Sequence, residues 1–347
     1  MKALEETYRF LVLAKVKKGQ IEIQFNWIFI FIVGVIILIF FLFVIRSQTK
    51  SADIELAGDI IKNLDTVVKS AQTTVDAEKI IAMPNVKISF ICEPDTNISF
   101  YDLGNGVKKD TPYDIIFSQE KLSGYELISW TQSWDVPFRI ATFQYLTTKR
   151  AQFIIVNDTG TFAEELNKSL PKGMNKLFIN PNDNIVDNNY DYYKIIEFDG
   201  SKHTGDKPTK NVHKIIIHIN SGQSTIDSYG TVKFDEPDVP IINFVKKASL
   251  FGAIFSEDAD FYNCTMNKAF DRFEILMKLQ HNRTGEIKDK LPAEMASCRN
   301  IFIVSGSDMD SLSSKKLVDA ANIFEGSKKI MRANENLIRG KNCPLIY

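Results

Sequence analysis

An α/β or α+β fold, following a single N-terminal membrane-spanning helix, is what this sequence predicts. Three observations carry the expectation. From Ile23 to Ile45 no residue is charged, and from Trp27 to Ile45 nearly every residue is apolar. Beyond Pro84 the pattern changes to short alternating or wholly apolar runs, typical of strands, mixed with stretches of helical period. All four cysteines, Cys92, Cys264, Cys298 and Cys343, lie on the C-terminal side of the apolar run.

A helix needs about 20 apolar residues to cross ~30 Å of hydrocarbon, so residues 27–45 can span. A cleaved secretory signal has an apolar core of only about 7–15 residues, followed by a small-residue site. Here the run ends in Phe-Val-Ile-Arg-Ser-Gln, and the segment is expected to stay as an anchor. Lys2, Arg9, Lys15, Lys17 and Lys18 precede it, while Arg46 and Lys50 follow. Basic residues near a span tend to remain cytoplasmic. Residues 1–26 are thus predicted to be a cytoplasmic leader of a single-pass cell-membrane protein whose C-terminal domain lies outside.

Residues 46–80 read as an amphipathic stem helix. Ala57, Ile60, Ile61, Leu64, Val67, Val68 and Ala71 recur at three- and four-residue steps, which places them on one stripe. Residues 84–347 read as one extracytoplasmic mixed-sheet domain with flanking helices. "NVKISFICE" alternates as a half-buried strand, and "YDIIFS", "FRIATFQYLTT" and "QFIIVN" add further strands. "TFAEELNKSL" reads as a helix opened by a Thr161–Glu164 capping box. It leads to "KLFIN", so Gln152–Asn180 forms a strand–helix–strand unit. "YKIIEF", "HKIIIHI" and "TVKF" continue the sheet. Phe261, Tyr262, Ala269, Phe270, Phe273, Leu276 and Met277 mark a long amphipathic helix to about Gln280. "IFIVSG" reads as a short buried strand before a final helix starting in "DSLSSKKLVDAANIFEG".

The formal net charge of −1 presents no basic field for nucleic acid. An even cysteine count on the outer side favours disulfides, and no Cys-x-x-Cys spacing suggests zinc. Cys264–Cys298 is the favoured pair, being nearest in sequence and cheapest in loop closure.

Sites of chemistry are sparse. Asp308 and Asp310, in "SDMDSL", are the candidate catalytic carboxylate pair, set against a helix start rich in capping Ser and Asp. Asp187, Asn189 and Asp191 resemble the opening of a calcium loop, but Tyr192 and Phe198 stand where Gly and Glu belong. His213 and His218, five apart on one strand, face opposite sides and cannot share a metal. No phosphate-binding loop, nucleophile elbow or zinc-protease motif occurs, so no cofactor or metal is expected. Asn97, Asn157, Asn167 and Asn282 are candidate glycosylation sites. Asn263 also stands in such a triplet, but its neighbour Cys264 suggests burial.

The stretch "VKKGQIEIQF" resembles an archaeal class III signal peptide, the leader of type IV pilin-like proteins, and "GQIEIQFNWIF" is similar to uncharacterised archaeal single-span membrane proteins. Lys17, Lys18 and Gly19 match the residues before the cut, and Gln20 the new N-terminus. Gln24 stands where pilins usually carry Glu. The resemblance implies retention of the apolar helix and a surface location. Together these readings predict a membrane-anchored cell-surface protein with a structural or interaction role, a pilin-like or envelope component. A tethered hydrolase using Asp308 and Asp310 is the alternative. The expected partners are the lipid bilayer and other membrane or envelope proteins, with self-assembly an open option.

Overall fold

The computed structural model describes residues 27–48, 58–67, 69–70, 73–84, 86–94, 96, 98–103, 107–158, 160–186, 189–339 and 343–347. The chain divides into two compact units, residues 1–59 and 60–347.

In the first unit, α1 (Trp27–Gln48) contains an 18-residue window with a mean hydropathy of 3.6, none of it buried. It is long and apolar enough to cross. It also runs three residues past the expected boundary at Ile45.

The second unit is a mixed α/β assembly with three sheets. Residues 58–67 are helical, and within the second unit Ile60 and Leu64, four apart on one face, are buried. The stem helix does not reach residue 80 as expected. Glu78–Ala82 is instead strand β1, because the β-branched pair Ile80 and Ile81 is recruited to the edge of a sheet, opposite Ile128 and Leu127.

That sheet has the order β1-β7-β8-β5, with β5 at Ile115–Ser118, β7 at Glu126–Asp135 and β8 at Arg139–Thr148. A second sheet, β4-β3-β2-β6, is antiparallel throughout and joins β2 (Ile88–Glu93), β3 (Ile98–Asp102), β4 (Lys108–Asp110) and β6 (Lys121–Leu122). The largest sheet runs β10-β9-β11-β12-β13-β14. Its parallel part is β9 (Ala151–Val156), β10 (Asn175–Ile179), β11 (Tyr192–Phe198) and β12 (Val212–Ile219). Two antiparallel strands, β13 (Tyr229–Phe234) and β14 (Ile242–Val245), complete it. The anticipated strand–helix–strand unit is present, with β9 and β10 parallel and α2 (Phe162–Ser169) between them. The expected capping box is not made. Glu164 pairs with Lys168 one turn on, at 2.6 Å, and the Ala163 N–H is taken by the Asp158 carboxylate at 3.3 Å.

Helix α3 (Lys246–Phe255) is buried at every position from Ala248 to Phe255, as a helix with no polar face must be. It packs against strands of both the first and the largest sheets. The Tyr145 hydroxyl donates to the Ala248 carbonyl at 2.7 Å, and the Trp134 indole N–H donates to that of Val245 at 3.0 Å. Thus the polar tips of two core aromatics are satisfied by backbone at the start of α3.

Three helices close the chain: α4 (Ala259–Lys290), α5 (Ala296–Ser313) and α6 (Ala320–Arg339). The segment "IFIVSG", expected as a strand, lies inside α5. Cys298, Phe302, Ser305, Met309 and Leu312, spaced three and four apart, are buried together with Gly306 and Ser313, whereas Ile303 and Val304 face out. The period is helical; small buried residues and apolar exposed ones disguise it.

The favoured Cys264–Cys298 pairing is also corrected. The disulfides are Cys92–Cys264 and Cys298–Cys343. Cys264 sits in the second turn of α4 and Cys298 lies beyond its far end. At about 1.5 Å per residue a rigid helix holds them roughly 40 Å apart. Loop-closure cost is lowest for a short flexible connection, and this connection is mostly a rigid helix.

Candidate functional site

Lys87 and five further chain segments converge on a cleft of about 710 Å³ in the second unit. The five are residues 119–123 after β5, the turn 148–151 between β8 and β9, the entry to β11, the entry to β12, and Glu257 just past α3. The cleft therefore lies at the amino ends of parallel strands β9, β11 and β12. Asn189 and Asn211, which help line it, have φ of 60° and 47°. This left-handed region is one that Asn tolerates better than most residues, and it turns the chain sharply into each strand.

An ion pair closes one wall. The Arg150 guanidinium grips the Asp191 carboxylate through two nitrogens, Nη2–Oδ1 at 2.7 Å and a shorter Nε–Oδ2 contact. The Ser123 hydroxyl adds a third donor at 3.0 Å. The Arg150 bond, with help from Ser123, holds the Asp191 carboxyl below its usual range. The residue considered for calcium is thus committed to arginine; Asp187 lies outside the described residues.

The opposite wall is less charged. Tyr192 stacks on His213 with ring centroids 5.0 Å apart. Burial, with Lys194 nearby, pushes the imidazole down to about 4, so His213 is neutral at ordinary pH. Its Nε2 lies 3.6 Å from Glu257 Oε1, a polar contact and not an ion pair in that state. Burial raises the Glu257 carboxyl, and the Glu120 N–H donated to Oε2 at 2.7 Å partly offsets this. Behind this wall Lys194, fully buried in β11, donates to the Ser256 and Glu257 carbonyls at 2.7 and 3.1 Å. Its amine lies at the C-terminal end of α3, where the helix dipole favours the charged form. Burial pushes this amine down to about 7.

Two lining residues carry polar atoms without partners among the described residues. Both side-chain amide atoms of Gln119 are buried and make no hydrogen bond, and neither does the Tyr192 hydroxyl. Sequence reasoning passed over both. Gln119 sits in a loop with no motif, and Tyr192 counted only as a departure from a calcium loop.

The residues singled out from sequence lie elsewhere. Asp308 and Asp310 fall within α5 and not at a helix start. Two positions apart on a helix, they point about 200° away from each other, Asp308 half-buried and Asp310 exposed. They share no site. His218 contacts Asp199 on the surface. Among the described residues no group of three or more His, Cys, Asp or Glu is placed to hold a metal. Asn282 is exposed on α4, and Asn157 and Asn167 are half-buried. Asn263, expected to be buried beside Cys264, is exposed. Asn97 and the leader residues Lys17, Lys18, Gly19 and Gln20 lie outside the described residues. Comparison with family models, with curated proteins and with solved structures finds no match for this chain.

Proposed function

We propose that this is a membrane-anchored surface protein whose C-terminal domain serves a structural or interaction role on the outer side of the membrane. The observation that carries the reading is α1, a 22-residue helix whose 18-residue apolar window has a mean hydropathy of 3.6 and no buried face. A helix of that kind is stable only in lipid or against other apolar helices. The cysteine pairs support the outer placement, since all four cysteines are in disulfides and disulfides persist in oxidising compartments. The excess of basic residues before α1 points the same way.

The leader belongs to the same proposal. Cleavage after Gly19 would leave Gln20 as the first residue and keep α1, as the class III resemblance implies. Mass measurement of the N-terminal peptide of mature protein decides this, and a chain starting at Met1 or Lys2 removes it.

Alkaline carbonate extraction tests the anchoring. The full chain stays with the membrane pellet, and a chain lacking residues 27–48 is released. Equal release of both would overturn the proposal.

A further inference from the structure

We propose that the cleft at the amino ends of β9, β11 and β12 binds a short, uncharged carbohydrate through Gln119, Tyr192 and Glu257. This goes beyond anchoring and does not depend on which side of the membrane the domain occupies.

The first support is the set of unpartnered atoms. Gln119 is 1% exposed and Tyr192 8%, and the Gln119 amide nitrogen, its amide oxygen and the Tyr192 hydroxyl have no hydrogen-bond partner among the described residues. Buried polar atoms are nearly always paired, and these three unpaired ones stand on two residues that line one cleft. Both side chains are covered in this conformation. The proposal requires the Gln119 amide to turn towards the cleft as the ligand enters.

The second support is the chemistry of those atoms. A Gln amide offers donors and acceptors side by side, and a phenol hydroxyl is both at once. The complementary group is one that donates and accepts together, which a sugar hydroxyl does. Glu257, on the same wall, accepts from a hydroxyl in either protonation state.

The third support concerns charge. Arg150 is held by Asp191, and Lys121 by Glu120 at 2.8 Å. The inner imidazole is neutral, and Glu257 opposes an incoming anion. A phosphate or carboxylate would meet Arg150 already neutralised by Asp191, with only exposed Lys87 and Lys210 beyond it. A neutral ligand displaces nothing. The volume, about 710 Å³, lies within the roughly 300–1,000 Å³ of small-molecule clefts.

Saturation-transfer NMR on the full chain in a non-glycosidic detergent tests the proposal. The probes are glucose, galactose, N-acetylglucosamine and the disaccharides cellobiose and chitobiose, with inorganic phosphate as the charged comparison. At least one sugar should bind, at least tenfold more weakly to Gln119→Leu and to Tyr192→Phe and unchanged to Asp308→Asn. Gln119→Leu should melt no lower than the parent, because it removes an unpaired amide; Tyr192→Phe provides a second variant should the first misfold. The proposal is overturned if no sugar binds the folded chain, if binding is the same in both variants, or if phosphate binds and the sugars do not.

Discussion

The ammonium of Lys268, on α4, lies 2.6 Å from the backbone carbonyl oxygen of Asp114 at the head of β5. It also donates to the Thr111 carbonyl at 2.8 Å and the Ser99 hydroxyl at 3.0 Å. Cys264, four residues earlier and so on the same face of α4, is bonded to Cys92 in β2. One covalent bond and one buried cation thus fasten the small antiparallel sheet to the long helix.

Lys268→Met should destabilise the domain by about 2–3 kcal/mol, since it leaves buried acceptors on Ser99, Thr111 and Asp114 unmatched. Chemical denaturation of the parent and variant chains measures this. A change under half a kcal/mol would show that the cation is dispensable.

The same residue should leave a pH signature. Burial pushes Lys268 down to about 8 from 10.5. Between those values the unfolded chain holds a proton that the folded chain has released, so stability rises with pH. The stability of the parent minus that of Lys268→Met should therefore grow from pH 8 towards 10.5, by roughly 1 kcal/mol per unit at most. A difference that stays flat or shrinks contradicts the assignment.

The disulfides should differ in weight. Cys92–Cys264 closes a separation of 172 residues and Cys298–Cys343 one of 45. Chain entropy gives upper values of about 5 and about 4 kcal/mol. Replacing Cys264 by Ser should lower the thermal midpoint more than replacing Cys343. A non-reducing peptide map that recovers Cys264 joined to Cys298 would refute the pairing.

Gly252→Ala should reverse the usual sign for a helix. In an exposed helix the change gains about 1 kcal/mol. In α3 the new Cβ would stand 2.8 Å from ring carbons of fully buried Phe117. A loss of about 1–3 kcal/mol is expected from overpacking, read as a lowered melting point.

How far these features were legible in the sequence depended on which residues occupy the buried positions. Strands β9 and β11 are rich in Ile, Val, Phe and Tyr and announce themselves. Strand β7 does not, because Ser129, Thr131 and Gln132 are buried among its apolar residues and break the pattern. The segment "IFIVSG" of α5 reads as a strand because Ser305 and Gly306 are buried while Ile303 and Val304 face solvent. The span needed only composition and length. The cleft had no linear signature, since Gln119, Tyr192 and Glu257 meet only after three sheets have formed.

The central claim is an α1 anchor carrying the domain outside the membrane. Protease added to intact cells tests it most directly. The account predicts that residues beyond α1 are digested while the cells remain closed and that a cytoplasmic marker survives. Protection of the whole domain in intact cells, with digestion only after lysis, would contradict it.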